Sequence, residues 1–395
     1  MIADLNGRLE AGVVELTFNG PSGYLASLLD VLDVPAESQV LVFSPTSFQE
    51  EFIRFDNPRA VFFGDNIAIG WVRGAEVLEI AAQDRQQGTI FYSLPQSETA
   101  APRFERRENC LACHLSWDTL GVPGLQVLSM FPMPKDRNAY ASGHTTDHRS
   151  RLQDRWGGWY VTGSHGGVAH MGNVPVVDVN DPQATFGLIP DVINSVDGKF
   201  DLEGYPSAHS DIVALMVLEH QARMHNLITQ AHFETDTVDH YDRLYNKALD
   251  RPRGYRSKVS KRRIARVAGD LLRYMLFIDE FTLKSPVRGT SKFAEEFSSR
   301  GRLDKLGRSL RQLDLRRRLF RHPCSFLVES PSFAQLPVSV RTLVADRLRS
   351  VLEDKTPGED YARLSSDDRK TIREILDANR PSWWVTVAKN SRSKK

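Results

Sequence analysis

The spacing of apolar residues along the chain changes near residue 208, and this change constrains the fold more than any other feature. Before it, short runs of β-branched and aromatic residues alternate with Gly, Asn, Asp and Pro, as in antiparallel sheets with tight turns. After it, apolar residues recur at intervals of three and four, the period of a helix buried on one side. The sequence therefore predicts an α+β protein with an antiparallel β-rich N-terminal part and a mostly α-helical C-terminal half.

Particular runs carry these predictions. The strand-like runs are GVVELTF, QVLVFS, AVFFGDNIAIGWVRG and GTIFYSL, and the helical ones are HSDIVALMVLEHQARMHNLITQAHFE, KRRIARVAGDLLRYMLFID and VSVRTLVADRLRSVLED. Residues 96–206 are rich in Gly, Pro, His and Trp and show little periodicity, so we expect this loop-rich segment to line a site. The predicted division is 1–95 (β-rich), 96–206 (site segment) and 207–395 (helical and basic).

Composition limits the class of protein. A chain of 395 residues that is 41% hydrophobic and 26% charged can bury a sizeable core. No run of about 18 uncharged apolar residues is present, which predicts no membrane span, and the N-terminus shows no basic segment followed by an apolar one, which predicts no export signal. Three cysteines in so long a chain exclude a disulfide framework, so we expect their importance to be chemical.

The two halves of the chain carry opposite charge. Residues 1–200 contain 14 Lys and Arg against 24 Asp and Glu, whereas residues 201–395 contain 37 against 26. The halves dock on one another or simply present solvated faces, or else the basic half receives an acidic partner. Its basic runs, residues 257–266 and 311–322, lack the interleaved aromatic residues of a base-stacking surface, which argues against nucleic acid.

Two of the cysteines lie in the stretch RENCLACHLSW, residues 107–117. Cys110 and Cys113 are three residues apart, so on a helical turn their thiols share nearly one face and can bond the two vinyl groups on one porphyrin edge. His114 follows directly and can reach the iron. This C-x-x-C-H pattern, with a chance expectation of about six in ten thousand at this composition, resembles the haem-attachment motif of c-type cytochromes. The chain as a whole resembles large bacterial cytochrome c-like proteins that carry one such motif.

The resemblance implies one covalent haem c, held by Cys110 and Cys113, with His114 as the proximal iron ligand. In small soluble c-type cytochromes the sixth ligand is usually a methionine some tens of residues further on. The candidates in this chain are Met171, 57 residues after His114, together with His170 and His165, while Met130 and Met133 remain open. Since haem is attached outside the cytoplasmic membrane, the resemblance also implies a periplasmic or extracytoplasmic location, in spite of the missing export signal.

Other interpretations of the cysteine pair stay open. The pair can hold zinc together with His144 and His148, form a redox disulfide, or consist of buried structural thiols. A further stripe of His and Met, between residues 209 and 225, is interpreted as helix core, since no Glu-x-x-His or His-Glu-x-x-His pattern accompanies it.

The functional hypothesis is a haem-binding redox protein that transfers electrons to or from a partner protein, for which an acidic partner is one expectation. The alternatives are a haem enzyme or gas sensor with an open distal site, where His165 or His170 acts as acid and base, and a non-haem, zinc-stabilised interaction protein. The sequence identifies no substrate, no catalytic residue and no oligomeric state.

Overall fold

The computed structural model describes residues 1–131, 143–175, 192–354 and 358–385. About 39% of the chain is helical and 14% is in strands, and the strands lie in the N-terminal part. The α+β prediction, with an antiparallel sheet before a mostly helical half, is therefore confirmed.

Two short helices open the chain, α1 (Ile2–Glu10) and α2 (Leu25–Val31). Within the described residues, six strands follow as one antiparallel sheet in which each strand pairs with the next. The strands are β1 (Val40–Val42), β2 (Arg59–Gly64), β3 (Ile67–Trp71), β4 (Val77–Asp84), β5 (Gly88–Pro95) and β6 (Glu105–Arg106). Because side chains alternate along a strand, the sheet contributes to two separate apolar cores, one on each face.

The strand prediction for GVVELTF, residues 12–18, is wrong. The backbone N–H groups of Val13 and Val14 bond to the carbonyl of Arg8, and these bonds close the C-terminal end of helix α1. Leu16 is buried. The run therefore leads from α1 to α2 and does not pair in the sheet. The runs that contain β1, β2, β3 and β5 are predicted correctly, whereas β4, which is rich in alanine and charge, is not among the predicted strands.

The middle of the chain is sparse in regular structure. It contains the one-turn helix α3 (Leu111–His114) and a two-stranded ribbon of β7 (Leu128–Ser129) and β8 (His144–Thr145). The segment 156–160 runs beside β1, since Gly158 accepts from the N–H of Phe43 and the Tyr160 N–H bonds to Leu41. It thus extends the sheet at the edge opposite β6.

The helical half is built around α4 (Ile212–Ala248), whose 37 residues give a length of about 55 Å. Asp211 caps it by accepting from the N–H groups of Val213 and Ala214. The other helices are α5 (Lys258–Met275), α6 (Phe293–Ser299), α7 (Pro331–Ala334), α8 (Val338–Glu353) and α9 (Ser366–Asn379). In the described ranges, no helix combines the length and the apolar character that crossing a bilayer requires.

The oppositely charged halves are in contact. They share one apolar core, and ion pairs join them. These pairs include Arg73–Asp201, Arg155–Glu219, Arg223–Asp147, Arg300–Asp33 and Arg311–Asp65. In three of these five pairs the basic half supplies the cation and the acidic half the carboxylate, so docking of the halves offsets only a small part of the charge asymmetry.

Candidate functional site

Helix α3 brings the residues of the C-x-x-C-H motif onto a single turn. The N–H groups of Cys113 and His114 both bond to the carbonyl of Cys110, at 3.2 and 3.0 Å. Cys110 and Cys113 are free thiols and are partly exposed. Burial, helped by the charge of Glu79, raises the pKa of the Cys110 thiol, so that sulfur is protonated at neutral pH. The motif therefore presents accessible thiols beside the histidine.

The His114 ring is held in one tautomer. Its Nδ1 lies 2.9 Å from the carbonyl oxygen of Gly124, and because a carbonyl only accepts, Nδ1 carries the proton. Burial lowers the pKa of His114, which keeps the ring neutral, and Phe91 of β5 packs against it with ring centroids 4.7 Å apart. Nε2 consequently keeps a free lone pair and has no hydrogen-bond partner among the described residues. A neutral imidazole oriented through its Nδ1–H is the form in which histidine binds a metal.

The loop that orients His114 is fixed by α4. Asn226 accepts from the N–H of Leu125 at 3.2 Å and donates to its carbonyl at 2.7 Å, while the Gly124 N–H bonds to the carbonyl of His114 at 3.0 Å. A Cβ on Gly124 would lie 2.1 Å from the Asn226 amide oxygen, so glycine is required there. Helix α4 thus positions the Gly124 carbonyl through Asn226, and this carbonyl orients the His114 ring.

The candidate sixth ligands lie together in a different loop. His165, His170 and Met171 are buried, and the rings of His165 and His170 are perpendicular with centroids 4.8 Å apart. Trp156 packs edge-on against His170 at 5.5 Å. Of the remaining candidates, Met130 is buried beside Leu128, and Met133 lies outside the described residues.

These candidates differ in their free lone pairs. The Gly172 N–H donates to Nδ1 of His170 at 3.0 Å, so the proton of this neutral ring sits on Nε2; burial lowers its pKa to about 3. Within the part of the chain that the structure describes, neither buried nitrogen of His165 has a hydrogen-bond partner. In the same part, the Met171 sulfur accepts only a long bond, 3.6 Å, from the Ser129 hydroxyl. Ligand lone pairs are thus available on His165 and Met171 but not on His170 in this tautomer.

Helix α4 holds His114 and this loop at different heights. The His114 loop is attached at Asn226, whereas the Met171 N–H bonds to the carbonyl of Arg155, whose guanidinium bonds to Glu219. Glu219 and Asn226 are seven residues apart, so they share one helix face and are separated by about 10 Å along the axis. Among the described residues, no hydrogen bond or ring contact joins His114 to the His165–Met171 loop.

The zinc arrangement is not assembled either. His144 is exposed on β8, whereas His148 is buried with its Nδ1 2.9 Å from Nδ1 of His220. Over the described ranges, no group of three or more His, Cys, Asp or Glu side chains is placed to hold a metal ion. His144 and His148 thus do not join the two cysteines as ligands.

A buried polar network lies beside α4, and sequence reasoning missed it. Arg155 donates to Glu219 at 2.8 Å, and the Thr146 hydroxyl donates to the other oxygen of Glu219 at 2.6 Å. Next to them, His220 contacts His148 and lies 2.8 Å from the Ser325 hydroxyl. Glu219 and His220 inside an apolar run were the only signal, since their partners lie far away in sequence.

Protein-family models, curated proteins and solved structures were compared with the chain, and none matches it. The residues of the C-x-x-C-H turn and their geometry therefore carry the functional argument.

Proposed function

We propose that this protein covalently binds one haem c through Cys110 and Cys113, with His114 as the proximal iron ligand, and that it functions as an electron-transfer protein. The observation that carries the proposal is the His114 tautomer, in which the Nδ1–H donates to the Gly124 carbonyl and the Nε2 lone pair stays free. The haem would supply one-electron chemistry at its iron. The chain would attach the group, orient the proximal ring and keep that ring neutral.

The surroundings of the motif fit a flat apolar group. Leu115 and Trp117 directly follow the motif, and Trp117 is 96% exposed, which is rare for the largest apolar side chain. Each thiol would add across a vinyl group, so that a carbon–sulfur bond forms and the thiol hydrogen passes to the neighbouring vinyl carbon. The accessibility of both cysteines suits this addition, and no leaving group is required.

For the sixth position we propose Met171 or His165 ahead of His170, because His170 lacks a free lone pair. Met171 or His165 would hold the iron together with His114 only if the His114 loop and the His165–Met171 loop approached each other when haem is attached. The proposal also includes a periplasmic or extracytoplasmic location, where haem attachment takes place, and a protein redox partner.

The test is covalent haem retention. We expect full-length protein matured in a host that attaches haem in its periplasm to keep a peroxidase-staining band after denaturing electrophoresis. The double variant Cys110→Ala/Cys113→Ala should lose that band, while Cys324→Ala, which removes the buried third thiol, should keep it. Wild-type protein that carries one zinc per chain and no haem mass would contradict the proposal.

Spectra of the matured protein then distinguish a carrier from an enzyme. Wild type should be low-spin, and only one of the variants His165→Ala, His170→Ala and Met171→Ala should become high-spin and bind carbon monoxide. Wild type that already binds carbon monoxide and turns over peroxide would replace the carrier with a haem enzyme or sensor.

A further inference from the structure

The second half of α4 leaves the body of the protein. From Ile212 to His232 nearly every residue is buried, whereas beyond it the buried residues form one narrow stripe, Thr235, Val238, Asp242 and Asn246. The hydrogen bonds that tie this part to the following segment include those from Ser260 to Asp242 at 2.6 Å, from Asn246 to the carbonyl of Tyr255 at 2.8 Å and from Arg263 to Glu234. The end of α4 and the start of α5 therefore form a projecting helical hairpin, whose tip we define as residues 241–262.

The hairpin tip exposes large apolar side chains. Tyr241, Leu244 and Tyr245 lie at spacings of three and four, so they share one side of α4. Three more exposed residues of this kind follow in the turn and at the start of α5. All six have between 44% and 59% of their surface exposed: Tyr241, Leu244, Tyr245, Leu249, Tyr255 and Val259. Single exposed apolar residues are ordinary, but six on one short projecting element indicate an interaction surface.

The hairpin tip is also strongly basic. Its exposed cations without an ion pair in the described structure are Arg243, Lys247, Arg251, Arg253, Lys258, Lys261 and Arg262. Against them stands one exposed carboxylate, Asp250, since Asp242 is buried and bonded to Ser260. Seven cations therefore surround the apolar residues.

We propose that the hairpin tip docks this protein on the surface of an anionic phospholipid bilayer. Cations attract the negative headgroups, and leucine, valine and tyrosine side chains enter the interface between headgroups and acyl chains. Nucleic acid would use the charges but would leave Leu244, Leu249 and Val259 without a role. A folded acidic protein would have to match a projecting tip in shape, whereas a bilayer adapts to it. The proposal does not depend on haem.

The experiment is vesicle flotation with the full-length protein. We expect binding to vesicles of 70% phosphatidylcholine and 30% phosphatidylglycerol and at least tenfold weaker binding to pure phosphatidylcholine. The charge variant Lys258→Glu/Lys261→Glu/Arg262→Glu and the apolar variant Leu244→Ser/Leu249→Ser should each weaken binding at least tenfold. The matched control Leu303→Ser/Leu306→Ser, which alters two leucines outside the hairpin that are even more exposed than Leu244 and Leu249, should bind like wild type.

Several results would overturn the proposal. Equal binding to both kinds of vesicle would remove the role of the cations. A loss of binding in the charge variant alone would mean that the cations hold the protein on the vesicle by charge and that its apolar residues do not enter lipid. No binding to either kind of vesicle would mean that the tip does not dock on a bilayer. Unchanged thermal unfolding of the variants, expected because the substituted side chains are exposed, ensures that a loss of binding is not a loss of fold.

Discussion

Glu219 makes the stability of the protein depend on pH. Its carboxyl group is fully buried, accepts from Arg155 and Thr146, and has a pKa that burial raises from 4.5 to about 7. The arginine and the hydroxyl act in the opposite direction but do not cancel the cost of burying the charge. The folded protein therefore binds this proton more tightly than the unfolded chain does.

The sign and size of the effect follow from the two pKa values. The contribution of Glu219 to the free energy of unfolding is fully present below pH 4.5 and is lost as pH rises through about 7. At about 1.4 kcal/mol per pKa unit, the loss amounts to roughly 3 kcal/mol. Glu219→Gln removes the titration and keeps the shape of the side chain, and the Thr146 hydroxyl can reverse its bond to donate or accept.

The assay is urea unfolding of wild type and Glu219→Gln between pH 4.5 and 8. The difference in unfolding free energy, wild type minus variant, should fall by about 3 kcal/mol across this range, because titrating groups shared by both proteins cancel. Glu353→Gln, at an exposed glutamate paired with Arg373, serves as the control for the same substitution at the surface. A constant difference for Glu219→Gln would show that Arg155 keeps the carboxylate charged throughout.

Three further predictions address the haem segment and the charges. Gly124→Ala should lower the free energy of unfolding by about 1–3 kcal/mol in urea titrations, because the new Cβ would meet the Asn226 amide; unchanged stability would show that the loop can shift. Cys324 is fully buried whereas Cys110 and Cys113 are partly exposed, so in haem-free folded protein a thiol reagent should modify Cys110 and Cys113 more rapidly than Cys324, which should react only on unfolding. Haem attachment should remove both accessible thiols. Three rapid thiols would contradict this burial. Association with an acidic redox partner should weaken steeply from low to physiological salt, and a salt-independent rate would mean that the internal ion pairs leave no attractive basic surface.

The sequence predicts those elements whose signal is local. The apolar run that begins near residue 209 is correctly predicted as a helix, but α4 continues to Ala248, beyond the predicted end near residue 234. Most residues of this extension are polar. Its few buried residues pack against the segment that follows α4, for example where Ser260 donates to Asp242. The prediction for residues 12–18 is wrong although the local signal is strand-like, because this segment connects two helices and does not pair in the sheet. In both cases tertiary contacts decide the outcome.

In the candidate site, too, the local features can be predicted from the sequence and the long-range contacts cannot. The C-x-x-C-H spacing can be recognised within five residues. The bond between His114 and Gly124 and the clamp of Asn226 on Leu125 are not visible in the sequence, because the clamp joins residues 101 positions apart. The partnership of Arg155 and Glu219, 64 positions apart, is hidden for the same reason. Such pairs depend on how the chain returns to α4, which no local pattern specifies.

The stretch of α4 from Glu219 to Asn226 has a length that cannot vary. Seven residues make almost two full turns, which is why both side chains point to one side of the helix. Insertion or deletion of one residue between them would rotate Asn226 by about 100° relative to Glu219 and turn its amide away from Leu125. Surface loops commonly tolerate inserted or deleted residues. In this stretch of α4, insertion or deletion of a single codon would instead release the loop that sets the His114 tautomer.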